Sequence, residues 1–141
     1  MVEIGGEIRT RGYSPRLTPW VIAIEKPSDG VQEVFTAVSL TDAGMAPSGD
    51  YRNYFEKDGR RFSHTIDPVT GYPIEHNLAS VTVIAPTAAE ADGWATAIMV
   101  SGVEKGLEIA EQQKLAVYMI VKEPEGFVER SSSEFSQFRQ P

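Results

Sequence analysis

The chain contains no cysteine, which removes disulfide scaffolds, thiolate metal sites and cysteine nucleophiles together. That absence does not place the protein in an oxidising or a reducing compartment, since either suits it. No apolar run approaches the roughly 20 residues that span a bilayer. Basic residues are scarce: 13 Lys and Arg stand against 20 Asp and Glu, for a net charge of −7 and a pI near 4.8. Nucleic acid and anionic membrane both require a basic footprint, so neither is expected as a partner. There is no P-loop, and the pair Gly5-Gly6 is too short for a dinucleotide fingerprint. Residues 1–12 carry neither an apolar signal core nor a basic lead-in. As written, the chain is expected to stay in the cytoplasm.

What is present is an ordinary globular composition, with 141 residues, 41% hydrophobic and 23% charged. That length suits one domain with a real core. We expect a single domain over residues 1–122 and a loose, partly ordered tail over 123–141. Strands are expected around Val2–Ile8, at Trp20–Ile24 and Val34–Leu40, in the pair Tyr51–Glu56 and Arg60–Ile66, and at Asn77–Ala85 and Leu115–Val121. Turn chemistry marks Lys26–Gly30, Lys57–Gly59 and Asp67–Gly71. Thr10–Pro19 reads as a hairpin loop, and Gly44–Asp50 as a shaped loop.

Thr87 and Glu90 have the spacing of a capping box, in which each side chain satisfies the other's free backbone N–H. A helix is therefore expected from Ala88, closed by Gly102. A second helix follows from about Val103 to Gln113. The sum is an α+β fold with a mainly antiparallel sheet and a late helix pair.

Asp92 and Thr96 stand four apart in the first helix and so share a face. A carboxylate and a hydroxyl are hard oxygen donors, suited to Mg²⁺ or Ca²⁺. The same pair also reads as a first-turn acid answering the helix dipole and a threonine bonding back to its own helix. His64 ends a strand and suits a general base, a flavin contact or a capped loop residue. Ser48, in Pro-Ser-Gly-Asp, offers a hydroxyl and backbone N–H groups to a phosphate, or is structural. Asp67 before Pro68 reads as a turn former, and His76 as a loop or surface histidine without a partner.

Taken together, the segments Ser63–Pro86 (SHTIDPVTGYPIEHNLASVTVIAP) and Thr87–Gly102 (TAAEADGWATAIMVSG) closely resemble the C-terminal signature of the ApbE-type flavin transferases. The resemblance runs upstream through SGDYRNYFEKDGRRF and VEIGGEIRTRG and downstream through GLEIAEQQKLAVYMI, covering nearly the whole chain. It implies cleavage of the FAD pyrophosphate, transfer of FMN to a Ser or Thr hydroxyl of an acceptor flavoprotein, and release of AMP, with Mg²⁺ as Lewis acid. It further implies Asp92, the Ala95 backbone carbonyl and Thr96 as metal ligands. His64, Thr65 and Ile66 become the strand end against the flavin, with Ser48 as a further cofactor contact and His64 as the candidate for acid–base work.

Members of that family are about twice this long and usually periplasmic or membrane-anchored. The expectation is of a C-terminal half whose missing first half holds the adenine pocket. Three readings stand open: an enzyme completed by a separate chain and inactive alone, a flavin- or Mg²⁺-binding module without chemistry, and a self-associating structural domain. A homo-oligomer, most simply a dimer, is expected where the first half would pack.

Overall fold

The computed structural model describes residues 1–27, 33–49, 54–57 and 60–140. Its elements in chain order are β1 (Val2–Ile4), β2 (Glu7–Arg9), β3 (Trp20–Glu25), β4 (Val34–Leu40), β5 (Gly44–Gly49), β6 (Tyr54–Lys57), β7 (Arg60–Ser63) and β8 (Leu78–Ala85). There follow α1 (Ala88–Ser101), α2 (Val103–Gln112), β9 (Ala116–Glu123), β10 (Gly126–Ser131) and a 3-10 helix over Ser133–Phe138. Six strands form one sheet in the order β1-β2-β5-β8-β9-β10, each neighbouring pair antiparallel. The pairs β3–β4 and β6–β7 make separate two-stranded sheets. The architecture is α+β with a mainly antiparallel sheet and a late helix pair.

The central strands β8 and β9 are apolar at nearly every position because both faces of the sheet are covered. Val81, Val83, Val117 and Met119 face α1 and α2, meeting Ala95, Ile98, Met99 and Ala110. Ile84, Ala116, Tyr118 and Ile120 point the other way, into a cluster closed by Ile22 and Ile24 of β3, Val38 and Leu40 of β4, and Phe135 of the 3-10 helix. Adjacent side chains of a strand point to opposite faces, so these two clusters are the two faces of one sheet.

The capping box holds as expected: the Glu90 N–H donates to Thr87 Oγ1 at 3.2 Å, and the Thr87 N–H to Glu90 Oε2 at 3.2 Å. Gly102 closes α1 at φ 76°, a conformation that favours glycine, and its N–H reaches Ile98 O at 3.2 Å. Thr87→Ala should cost about 1 kcal/mol in a urea melt, because it strips one orphan donor of its partner. A loss under a few tenths would mean water serves as well.

Several expectations change. The first strand is a hairpin, β1 and β2 folding back about Gly5-Gly6. Thr10–Pro19 is no hairpin loop, since β2 pairs with β5 and β3 with β4. Thr10 explains the departure: its buried hydroxyl donates to Ala43 O at 3.0 Å and accepts from the Ala43 N–H at 3.2 Å, tying the chain's exit to the start of β5. Gly44–Gly49, expected as a loop, is the strand β5 between β2 and β8. Its Pro47, paired with Thr82 of β8, has no ladder to interrupt on the opposite side, because β2 pairs with β5 only at Gly44 and Met45. The turns expected at 28–30 and 58–59, and the start of the strand expected from Tyr51, lie outside the described residues.

The tail is not loose. β10 pairs with β9 along its length, and Phe135 is fully buried 4.9 Å, centroid to centroid, from the Tyr118 ring. Tyr118 donates to Glu129 Oε2 at 2.7 Å, and Arg139 meets the same oxygen at 2.8 Å while lying over the Tyr118 ring. Burial, aided by that hydrogen bond, pushes the phenol well above its ordinary 10.0. The hydrogen bond from Tyr118 in turn holds the Glu129 carboxyl below its usual range.

A raised phenol contributes stability that is present below pH 10 and is lost as pH climbs past it. Tyr118→Phe should therefore flatten the alkaline decline seen in urea melts between about pH 10 and 12. Parallel declines in both proteins would assign the loss to other groups.

Candidate functional site

Helix α1 presents two faces. Ala91, Ala95, Ile98 and Met99 are buried against the sheet, and Trp94 leans into the cluster shared with α2. Asp92 and Thr96 are exposed, about 40° apart around the axis at 3.6 residues per turn, on the flank turned away from Trp94. Both simpler roles considered for the pair belong to other residues. Glu90 is the first-turn acid that caps the helix, and the hydroxyl that bonds back is that of Ser101, to Ala97 O at 2.8 Å. Among the described residues, neither the Asp92 carboxylate nor the Thr96 hydroxyl has a hydrogen-bond or ion-pair partner.

Two unengaged hard oxygens on one exposed face fit Mg²⁺ in chemistry. The Ala95 methyl is buried, so only that residue's backbone carbonyl is available to an ion. No group of three His, Cys, Asp or Glu side chains among the described residues is arranged to hold a metal. An ion here would therefore take most of its shell from water or from substrate phosphate, as Mg²⁺ commonly does.

His64 directly follows β7 and is exposed. The chain turns there because Ser63 is buried and its Oγ accepts the Thr65 N–H at 3.0 Å. Thr65 O accepts the Ile74 N–H at 3.1 Å, and Ile66 bridges to Pro73, half exposed. Asp67 is the expected turn former: its Oδ1 accepts the Val69 N–H at 2.8 Å and its carbonyl the Gly71 N–H at 2.8 Å. Beside this turn, a cavity of about 400 Å³ reaches from Asp67 and Tyr72 to His76 and Val100, near the end of α1. His76 is not a surface residue without a partner. Its Nδ1 accepts the Leu78 N–H at 3.3 Å, and its ring packs against Gly102, where a Cβ would lie 3.1 Å from Cδ2.

Ser48 lies in β5 rather than in a phosphate loop, paired with Val81 and half-buried. Alternation puts it with Ala46 on the face that carries α1, since Ala46 meets Ala91 and Ala85 there. The structure thus brings Ser48 onto the same side of the sheet as Asp92 and Thr96. Two hydroxyl residues of β8, Ser80 and Thr82, escaped the sequence reading. Their signal is a polar residue at alternate positions of an otherwise apolar strand.

The ApbE family profile matches residues 1–119. A protein of Haemophilus influenzae named FAD:protein FMN transferase is 55% identical over 97% of this chain and 40% of its own length. The Escherichia coli K12 protein of the same name is 51% identical over 98% of this chain and 39% of its own. The solved apo form of Pseudomonas stutzeri flavinyl transferase ApbE superposes with a TM-score of 0.81 at 50% identity, covering 96% of this chain and 41% of that one. The ApbE protein of Thermotoga maritima gives 0.82 at 33% identity, covering 99% and 44%. The chain belongs to the ApbE family. It spans about 40% of the length of the curated relatives it matches.

Proposed function

We propose that this chain provides the metal-binding helix and the flavin-facing strand end of an FAD:protein FMN transferase, which moves FMN from FAD to a Ser or Thr hydroxyl of an acceptor flavoprotein. The observation that carries this reading is the Asp92–Thr96 pair. Within a family of this activity, two oxygen donors stand on one helix face with no partner among the described residues. Asp92, the Ala95 carbonyl and Thr96 would hold Mg²⁺, which neutralises charge on the pyrophosphate oxygens when bound. The capping box at the start of α1 fixes the helix that carries the carboxylate before any ligand arrives. In this reading His64 takes the proton of the acceptor hydroxyl, and the backbone of Thr65 and Ile66, held by its pairing to Pro73 and Ile74, orients the flavin.

Because the chain spans about 40% of its relatives, the adenine end of the substrate is assigned to the rest of their length. Incubated alone with FAD, Mg²⁺ and a Ser/Thr acceptor, this chain should therefore flavinylate little or none of the acceptor, read by in-gel flavin fluorescence. Robust transfer would sink the division of the site. FAD should nonetheless raise the melting temperature more in the presence of Mg²⁺ than in its absence, and no response under either condition would sink the site itself.

The edge strand β1 supports a second element of the reading. Val2 is 60% exposed and Ile4 74%, so an unpaired strand edge carries apolar side chains. A homodimer built on this edge would cover them. Light scattering at micromolar concentration should give twice 15.5 kDa; a monomeric mass would remove this element.

A further inference from the structure

The cavity of about 400 Å³ beside the Asp67–Tyr72 turn is lined by Tyr72, Ile74 and Val100 as well as by Asp67 and His76. That volume falls in the range of ligand pockets and far exceeds what one water needs. His76 sets its chemistry. Nδ1 accepts the Leu78 N–H at 3.3 Å, so the neutral ring holds its proton on Nε2. Nε2 is buried, and no acceptor for that proton stands among the described residues. Buried polar atoms are nearly always paired, so a donor left over on a residue of the cavity wall calls for an acceptor from outside.

The adjoining turn displays apolar groups in a fixed arrangement. Val69 is 91% exposed and Tyr72 74%, on the turn that forms one side of the cavity. Hydrogen bonds hold that turn throughout. The Asp67 N–H donates to Tyr72 O at 2.9 Å and the Gly71 N–H to Asp67 O at 2.8 Å. The Val69 N–H donates to Asp67 Oδ1 at 2.8 Å and the Tyr72 N–H to Thr70 Oγ1 at 3.3 Å. Side chains presented on a turn tied in this way lose little freedom when a partner covers them. No Lys or Arg lines the cavity and Asp67 does, which disfavours an anionic guest. Pro73 and Ile74 of the lining pair with Ile66 and Thr65, the two residues that follow His64.

We propose that this cavity docks the acceptor protein, through an uncharged segment that buries one bulky apolar side chain and offers a main-chain carbonyl to the His76 Nε2–H. Tyr72, Ile74 and Val100 receive the side chain, and the carbonyl takes the proton that no described group accepts. Nε2 is covered as it stands, so the carbonyl reaches it with a small shift of the lining side chains, a common adjustment at interfaces. A segment seated here lies against Pro73 and Ile74, which pair with the stretch leading from His64. The identity of the partner rests on the transferase reading; the existence of the site does not.

The probe is N-acetyl-leucine N-methylamide, titrated without FAD or Mg²⁺ into the isotope-labelled chain and followed by amide chemical shifts. It should move Tyr72, Ile74, His76 and Val100 with a dissociation constant of about 1 mM. N-acetylglycine N-methylamide keeps both carbonyls but lacks the side chain, and should shift nothing over the same range. The anion N-acetyl-leucine should bind about tenfold more weakly. Asparagine imitates the Nδ1 acceptor of a histidine, and glutamine its Nε2 donor. His76→Asn should therefore weaken the probe about tenfold, and His76→Gln should bind it within about twofold of the parent. Tyr72→Ala, at an exposed position where the fold is not at risk, should weaken it several-fold. The apo form of a Ser/Thr acceptor flavoprotein should shift the same four residues, and excess probe should displace it. No shift up to about 10 mM probe overturns the site. So do shifts confined to other residues, or a probe indifferent to both His76→Asn and Tyr72→Ala. An acceptor that leaves these residues unmoved while the probe binds overturns the choice of partner. Shifts of Tyr72 and Val100 on dilution of the chain alone overturn it too, by showing that a second copy covers the cavity. Failure of the transferase reading would show elsewhere, in the response to FAD and Mg²⁺ at Asp92 and Thr96, which these titrations do not use.

Discussion

Asp92→Ala should make the thermal response of this chain to FAD blind to Mg²⁺. A ligand that binds only the folded state stabilises it by about 2.7 kcal/mol at 100 times its dissociation constant. If the metal bridges the helix and the pyrophosphate, FAD affinity in Mg²⁺ exceeds that without it, and the gap measures the bridge. Asp92 supplies the only charged donor of the proposed set, so its removal should close the gap. Thr96→Val keeps the carboxylate and removes a neutral donor, so the gap should narrow rather than vanish. Glu104→Gln, on the exposed first turn of α2, changes net charge equally and should leave the gap intact. If Asp92→Ala keeps a full Mg²⁺ response, the ion does not sit on this helix. Neither substitution threatens the fold, because both side chains are exposed and neither has a partner to lose among the described residues.

The shared flank of Asp92 and Thr96 was legible in sequence because its geometry is local. A capping box sets the phase of α1, and four residues of helix then fix which side chains share a flank, whatever the rest of the chain does. His64 was legible as a strand end for a similar reason, since Asp67–Gly71 is a turn written in adjacent residues. The errors arose where distant segments decide. Gly44-Met-Ala-Pro-Ser-Gly has poor strand propensity, and it is made a strand by β2 and β8, whose paired residues each lie more than 30 positions away from it in sequence. Propensity yields to such tertiary pairing. The tail misled in the same way: its run of serines suggests disorder, yet Ser132 Oγ accepts the Val117 N–H at 2.9 Å and donates to Leu115 O at 2.6 Å, an arrangement that exists only once β9 is in place. The bulge at Ala79, which turns Leu78 onto the helix-bearing face, is a property of pairing and leaves no local mark.

Gly44→Ala should be among the most damaging single-methyl additions in the chain. A Cβ at Gly44 would lie 2.3 Å from Ala88 N and 2.3 Å from the Thr87 carbonyl carbon, both backbone atoms at the start of α1. Side chains yield to overpacking by changing rotamer, but this contact has no rotamer to change; the helix must lift or β5 must move. Overpacking of cores typically costs 1–3 kcal/mol, and a clash with backbone belongs at or above the top of that range. We expect about 3 kcal/mol, or roughly a 10 °C fall in melting temperature for a chain of this size. Gly93→Ala is the matched control. It also adds one methyl, next to Asp92, but a Cβ there meets nothing within 4 Å, so it should stabilise α1 by about 0.5–1 kcal/mol. The two substitutions have different consequences for the candidate site. Lifting the capped end of α1 from β5 would displace Asp92 from the face it shares with Ser48, so Gly44→Ala should weaken Mg²⁺-dependent FAD binding at temperatures where it is still folded. Gly93→Ala should leave that binding unchanged. A Gly44→Ala protein that melts and binds like the parent would show that α1 does not rest on β5 through this contact.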